Sequence, residues 1–265
     1  VQYVFDKKKG ILNALFIDGE NLLKQPLDFN IWYAPRDNDG LTKNLWIAAG
    51  YDKAQSRAYA MSLEQTDEQV TVQVKCGLVA VSKTRILTLD VAYHLFSDGI
   101  FEVKIHAKKT PHLPFLPRFG LRFFLSKEFQ QTEYFGYGET ESYADKHHSG
   151  KLGFYHTTPH KNYVDYLKPQ ENGSHWGCSL VKVRSKNHEF YITADRPFSF
   201  NISPYTQEEL SSKKHNYELT ESDNTILCID YKISGIGSNS CGPWLKEEYR
   251  LGESEWDCGF RFEID

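Results

Sequence analysis

Two glutamates two positions apart, Glu139 and Glu141, are the residues whose type and spacing come nearest to glycosyl-transfer chemistry in this sequence. On a strand they would share a face with backbones about 7 Å apart, near the roughly 5–5.5 Å or 6.5–9.5 Å that paired glycosidase carboxyls need. That chemistry requires one carboxyl protonated and the other ionised. Here both sit among Gly136, Gly138 and hydroxyl residues, where they are expected to be solvated and ionised alike. The run also reads as a polar loop bonding its own backbone, so no residue of this chain is assigned a catalytic role.

Glu171 and His175, followed by Trp176, bring together an acid, a base and a ring, the residue types of acid–base work on a sugar. The alternative is a turn at Asn172-Gly173 leading into a strand. His147, His148, His156 and His160 form a histidine-rich stretch, but Pro159 interrupts any helix that would align them, and no metal site is expected. Gly235-Ile-Gly-Ser-Asn-Ser-Cys-Gly-Pro243 has Ser240 where a dinucleotide fingerprint needs its third glycine, and lacks the Gly-Lys-Ser/Thr end of a phosphate loop. It reads as an irregular polar loop. Tyr33-Ala-Pro-Arg-Asp-Asn-Asp-Gly40 is a second dense group of turn formers and acids, able to bind hydroxyls or to cap a bend.

The elements that position these residues are strands. Apolar and polar residues alternate in Val70–Cys76 and Phe101–Lys108, and the Ser97-Asp98-Gly99 turn makes Thr84–Phe96 and the second run a hairpin. Further strands are predicted at Ile11–Ile17, Phe119–Leu125, Trp176–Val183, Phe190–Thr193, Phe198–Ile202, Thr225–Ile233 and Phe260–Ile264. Helix is limited to short pieces at Asn44–Ala49 and after the capping-box spacing Thr206-Gln-Glu-Glu209. Many strands joined by Gly, Pro and Asp turns argue for sheet packed on sheet, as one body over residues 1–265. The proline-rich Pro111–Pro117 is an edge connection or a seam between the two halves of that sandwich.

Composition excludes several classes. Aromatic residues make up 14%, a level that suits strands and flat sugar-sized surfaces, and the net charge of −4 offers no field to attract nucleic acid. Five scattered cysteines without a CxxC pair fit free thiols in a reducing cytoplasm. No apolar run approaches the roughly 20 residues of a membrane helix, so a soluble protein is expected. The start at Val1 rather than Met suggests a processed product or a piece of a longer chain.

Six segments in order carry a resemblance. They are Ala34-Pro-Arg-Asp-Asn-Asp39, Trp46-Ile-Ala-Ala-Gly-Tyr51, Phe135 to Lys146, Pro169-Gln-Glu-Asn-Gly173, Phe198-Ser-Phe-Asn-Ile-Ser203 and Gly235 to Pro243. Together they resemble the C-terminal β-sandwich, or small subunit, of glycoside hydrolase family 2 β-galactosidases. The resemblance implies a large two-layer supersandwich of the galactose mutarotase type, all-β with few short helices. It further implies a partner, a separate barrel carrying both catalytic glutamates, with which this chain shares a galactoside and assembles into an oligomer. No cofactor is expected in this chain; the magnesium and sodium of family enzymes belong to the catalytic domain.

On that resemblance Arg36, Asp37, Asn38, Asp39, Gly40, Ser238, Asn239, Cys241 and Trp244 are expected at the rim of the galactoside pocket. The two loops that carry them are expected to meet at one end of the sandwich. Departures are the short Asp39–Lys43 loop and the absence of an aromatic residue in the glycine-rich loop, Trp244 lying further along. Two other functions are consistent with the residues: a free-standing aldose mutarotase or epimerase using Glu171 and His175, and a carbohydrate-binding module stacking Trp32 or Trp176 on sugar rings.

Overall fold

The computed structural model describes residues 1–265. Strands run from Gln2 to Ile264 and pair antiparallel throughout. Nine strands form one sheet, in the spatial order Leu152–Thr157, Gln131–Tyr137, Leu180–Arg184, Glu189–Ala194, Glu255–Ile264, Phe101–Lys109, Arg85–Phe96, Gln69–Val79 and Gln55–Gln65. Five form a second sheet, in the order His175–Cys178, Phe198–Ser203, Asn224–Ile233, Arg118–Ser126 and Leu23–Asn30. Gln2–Asp6, Ile11–Ile17 and Glu20–Asn21 make a small third sheet, and the Leu22 N–H donates to the Leu15 carbonyl beside the Leu23–Asn30 strand.

The alternating apolar residues meet between the layers. Phe101, Val103, Ile105 and Ala107 all face the core from one strand. Phe123 of the five-stranded sheet lies 5.2 Å from Phe262 of the nine-stranded sheet, Phe119 lies 5.2 Å from Trp256, and Phe200 lies 4.9 Å from Tyr134. Such rings interdigitate into one core, each contributing about 1.5–3 kcal/mol through its burial. The small third sheet closes the core from the side, with Phe5 lying 5.0 Å from Tyr93. Arg118–Ser126 does not alternate, because both of its faces are covered. Its outer residue Arg122 lies under the Gln207–Ser212 helix, where Glu208 accepts from it at 2.8 Å.

The predicted hairpin, the Ile11–Ile17 strand and both short helices are present, the latter as Lys43–Ala48 and Gln207–Ser212 with Thr206 Oγ1 accepting from the Glu209 N–H. The proline-rich stretch carries the chain from the nine-stranded sheet to the five-stranded one. It is pinned there by Tyr51, which donates to the Pro114 carbonyl at 2.7 Å, and by Trp46, which donates to that of Phe115 at 2.8 Å. Trp176–Val183 is two strands rather than one. His175–Cys178 pairs with Phe198–Phe200 in one layer, and Leu180–Arg184 pairs with Gln131–Phe135 in the other. Gly177, at φ 68°, takes the left-handed conformation at this crossing. No helix is long and apolar enough to cross a membrane.

Candidate functional site

At one end of the sandwich the loop after Leu23–Asn30 meets the loop after Asn224–Ile233. Arg36 makes the join. Its Nη2 donates to the carbonyls of Gly235 at 2.8 Å and Ser234 at 3.3 Å, and to the Tyr33 hydroxyl, while its Nε pairs with Asp39 at 3.2 Å. The guanidinium also lies 4.5 Å from the Tyr33 ring centre and 5.4 Å from that of Tyr143. Burial by itself would lower the Arg36 pKa, but the Asp39 carboxylate outweighs it and holds the cation firmly charged. A third hydrogen bond between the loops, from the Asn38 amide to the Gly237 carbonyl at 3.3 Å, closes the pair.

The nine residues assigned to the rim therefore lie at one end of the fold but differ in exposure. Asp37, Gly40, Ser238, Asn239, Cys241 and Trp244 are exposed, and Asn38 is half-buried. Arg36 and Asp39 are buried beneath them. Arg36 and Asp39, expected at a rim, are instead a buried, mutually bonded ion pair that ties the two loops together. Asp37 is oriented by Gln170, whose Oε1 accepts from its N–H at 3.0 Å and whose Nε2 donates to its carboxylate at 3.2 Å, with Lys168 at 3.5 Å. Next along the chain from these polar residues, Leu41, Leu45, Ile47 and Trp244 are between 47% and 49% exposed. The Lys43–Ala48 helix thus turns apolar side chains to solvent immediately after the first rim loop.

Reading by residue type missed Asp145 as a separate feature, although it falls inside one of the resembling segments. One carboxylate oxygen accepts from the Ile236 N–H at 2.8 Å and the other from the Gly237 N–H at 2.8 Å. A short acid ahead of a lysine in a polar loop gives no local signal for a contact 91 residues away. Glu139 and Glu141, by contrast, are not on a strand and are not alike. They lie in the loop after Gln131–Tyr137, with Glu139 exposed. Glu141 is largely buried and accepts from Tyr166, from the Gly173 N–H at 3.0 Å, from Lys146 at 3.2 Å and from Tyr143 at 3.3 Å. Burial pushes its pKa up, but those donors outweigh it and hold the carboxyl below its usual range. Glu141 is a fixed anion that organises the loop.

Glu171 and His175 are also buried. Glu171 pairs with Arg118 at 3.3 Å, and Arg118 makes a two-pronged bond to Asp230, in a buried network on the outer face of the five-stranded sheet, the face that also carries Arg122. Burial raises the Glu171 pKa against the pull of Arg118. His175 Nε2 faces Asn162 Oδ1 at 2.7 Å; because Asn162 Nδ2 donates to the carbonyls of Gly173 and Ile202, its oxygen must accept and the imidazole proton sits on Nε2. Burial lowers the His175 pKa to about 4. A proton–nitrogen NMR titration is expected to show His175 neutral through the range where exposed histidines titrate; a midpoint near the ordinary value would contradict its burial. Since the folded pKa lies below the unfolded one, this residue adds stability that is lost as pH falls from the unfolded value toward about 4.

The remaining aromatic and histidine expectations resolve by position. Trp32 is buried and contacts Trp46 edge-on at 6.4 Å, so it offers no sugar platform. Trp176 is half-buried, with His147 stacked on it at 4.2 Å and His148 stacked on His147 at 4.3 Å. His156 pairs with Glu133 at 3.5 Å and His160 with Glu221 at 2.9 Å, so the four histidines do not converge.

Layer arrangement and loop end together define a β-sandwich of the galactose mutarotase class. The chain superposes on a galactose 1-epimerase from Lactobacillus acidophilus NCFM with TM-score 0.50, covering 98% of this chain and 89% of that one at 9% identity, a likeness of fold alone. Over residues 1–264 it matches the family described as Beta galactosidase small chain, and it belongs to that family. It is 55% identical over 263 residues to the β-galactosidase of Actinobacillus pleuropneumoniae, and 34% identical over 262 residues to that of Staphylococcus xylosus. Each match covers 99% of this chain and 26% of the relative, so the chain spans about a quarter of the length of these proteins.

Proposed function

We propose that this chain completes a β-galactosidase: it closes the rim of the galactoside pocket, while a separate barrel carries the catalytic glutamates. The observation that carries this reading is the pairing of a polar rim with an apolar border at one end of the sandwich. Asp37, Asn38, Ser238 and Asn239 supply donors and acceptors suited to sugar hydroxyls, and Leu41, Leu45, Ile47 and Trp244, close to them along the chain, are half exposed. Apolar groups bordering a polar loop end fit burial against a companion surface. Family membership supports the same reading. The proposal extends to a cytoplasmic setting, supported by five unpaired cysteines, and to an oligomeric enzyme.

The test is a chromogenic galactoside assay on this chain alone and again with the barrel-bearing part added. No turnover is expected in the first and turnover in the second; activity of the chain alone that vanishes in Glu139→Gln would overturn the proposal. In the assembled enzyme, Asp37→Ala and Gly40→Ala are expected to alter KM or kcat by about tenfold while moving the unfolding midpoint little, since both positions are exposed. Equal loss of folding and activity would make them structural. The epimerase alternative is disfavoured by the burial of Glu171 and His175, which leaves neither in reach of a sugar. Absence of galactose mutarotation by the chain would close it.

A further inference from the structure

We infer that Asp145 is a positioning residue that clamps the base of the glycine-rich loop, so that Ser238, Asn239 and Cys241 meet the sugar in a preformed conformation. The inference rests on the rim reading above and adds how that rim is held.

Four successive residues, Ser234 to Gly237, are gripped from two sides. Arg36 takes the carbonyls of Ser234 and Gly235, and Asp145 takes the N–H groups of Ile236 and Gly237, both at 2.8 Å. Adjacent N–H groups on one carboxylate, one to each oxygen, are charge-assisted bonds, roughly twice as strong as neutral ones. The grip depends on close approach. A Cβ on Gly235 would fall 2.6 Å from the Asp145 carboxyl carbon, nearer than real Cβ contacts come, so glycine is required for the carboxylate to reach its two donors.

Asp145 is itself anchored by the loop around it. The neighbouring residues Tyr143 and Lys146 exchange backbone bonds at 3.0 and 2.9 Å, the Ser142 N–H donates to the Ser174 carbonyl at 2.7 Å, and Glu141 is tied to Gly173. The clamp therefore transmits the position of the nine-stranded sheet's end loop to the rim. Past Gly237 the hold stops: Ser238 to Cys241 are exposed, and the local bond from the Cys241 N–H to Asn239 Oδ1 at 3.0 Å organises only the tip. A fixed base under a short tip lowers the conformational cost of binding, which appears in KM rather than in the chemical step.

The test has two arms. Residue-resolved amide exchange on this chain is expected to show Ile236 and Gly237 exchanging about tenfold faster in Asp145→Asn, and faster again in Asp145→Ala, while amides of the Arg118–Ser126 strand are unchanged. Gly235→Ala, which pushes the carboxylate away without removing it, is expected to reproduce the pattern and stands in if Asp145→Ala fails to fold. Unchanged exchange at Ile236 and Gly237 in Asp145→Asn overturns the clamp. The second arm measures kinetics of the assembled enzyme, with KM for a nitrophenyl galactoside expected to rise in the same order and kcat to hold. Faster exchange without any kinetic change would leave the clamp standing and sink the rim reading. A fall in kcat at constant KM would overturn the positioning role.

Discussion

Arg118→Ala is expected to destabilise the fold by about 3–5 kcal/mol, the range for breaking a buried ion pair from one side. Arg118 is 1% exposed and holds two carboxylates, Asp230 through both prongs of its guanidinium and Glu171 through Nη1. Asp230 is wholly buried and Glu171 nearly so, and one oxygen of Glu171 already lacks a hydrogen-bond partner. Burial raises the Asp230 and Glu171 pKa values, and the Arg118 cation pulls each of them back down. Without it both must shift further upward or remain as buried, unpaired anions.

The sign of the pH dependence follows. A carboxyl whose folded pKa exceeds its unfolded value weakens the fold only above the unfolded value, where the unfolded chain ionises first. The variant's deficit is therefore expected to grow as pH rises above about 4, the unfolded carboxylate range, and to narrow toward it. Urea unfolding of both proteins across that range measures it. A deficit below about 1 kcal/mol, or one that widens in acid, would show that the network is not held as described. Arg118→Lys is expected to recover the charge but not the two-pronged geometry, and so to fall between the two.

Arg36→Ala is the second large effect, and its readout is function as well as stability. Asp39 is left buried without its cation, and the carbonyls of Ser234 and Gly235 lose their donor, for an expected loss of about 3 kcal/mol. Because Arg36 is the main tie between the loops, its loss is also expected to let the glycine-rich loop drift from the Asp37–Asp39 turn. In the assembled enzyme, activity is expected to fall by up to about a hundredfold, the cost that a displacement of about 1 Å at a positioning element can carry. Full activity in a variant that has lost the stability would separate the two roles and place the rim under another control.

Much of this architecture was legible along the chain. Hairpin Arg85–Lys109 announced itself through alternation on both sides of Asp98-Gly99, and Ile11–Ile17 through its flanking glycines. Other strands escaped. Gln55–Gln65 is an edge strand with little apolar content facing the core, and Leu152–Thr157, the opposite edge, alternates Leu152 and Phe154 outward to solvent. Edge strands are defined by backbone pairing with one neighbour, so their side chains carry a weak signal. Gln131–Tyr137 was hidden because Gly136 occupies one of its buried positions.

The candidate site divides in the same way. Asp37, Gly40, Ser238 and Asn239 were recognisable as loop residues because turn formers and small polar groups cluster locally. Burial was not recognisable. Glu139 and Glu141 look identical in sequence, yet one is exposed and the other accepts four hydrogen bonds. Arg36 and Asp39 share a loop with Asp37, and only the return of the chain at Ser234 and Gly235 places them inside.

By itself, then, the sequence determined the antiparallel sandwich, through a period-two pattern that can bury its apolar face only between two layers, and the family, through six ordered segments. Tertiary structure alone decided which polar residues became structure and which became surface. Desolvation depends on what the distant chain brings over a side chain, not on its neighbours in sequence. His175 is sealed because the rings of Tyr134 and Phe200 pack on it and Asn162 caps its Nε2, and Glu171 because Arg118 of a distant strand lies against it. Asp145 acquires its role because a loop 91 residues further on presents two N–H groups to it.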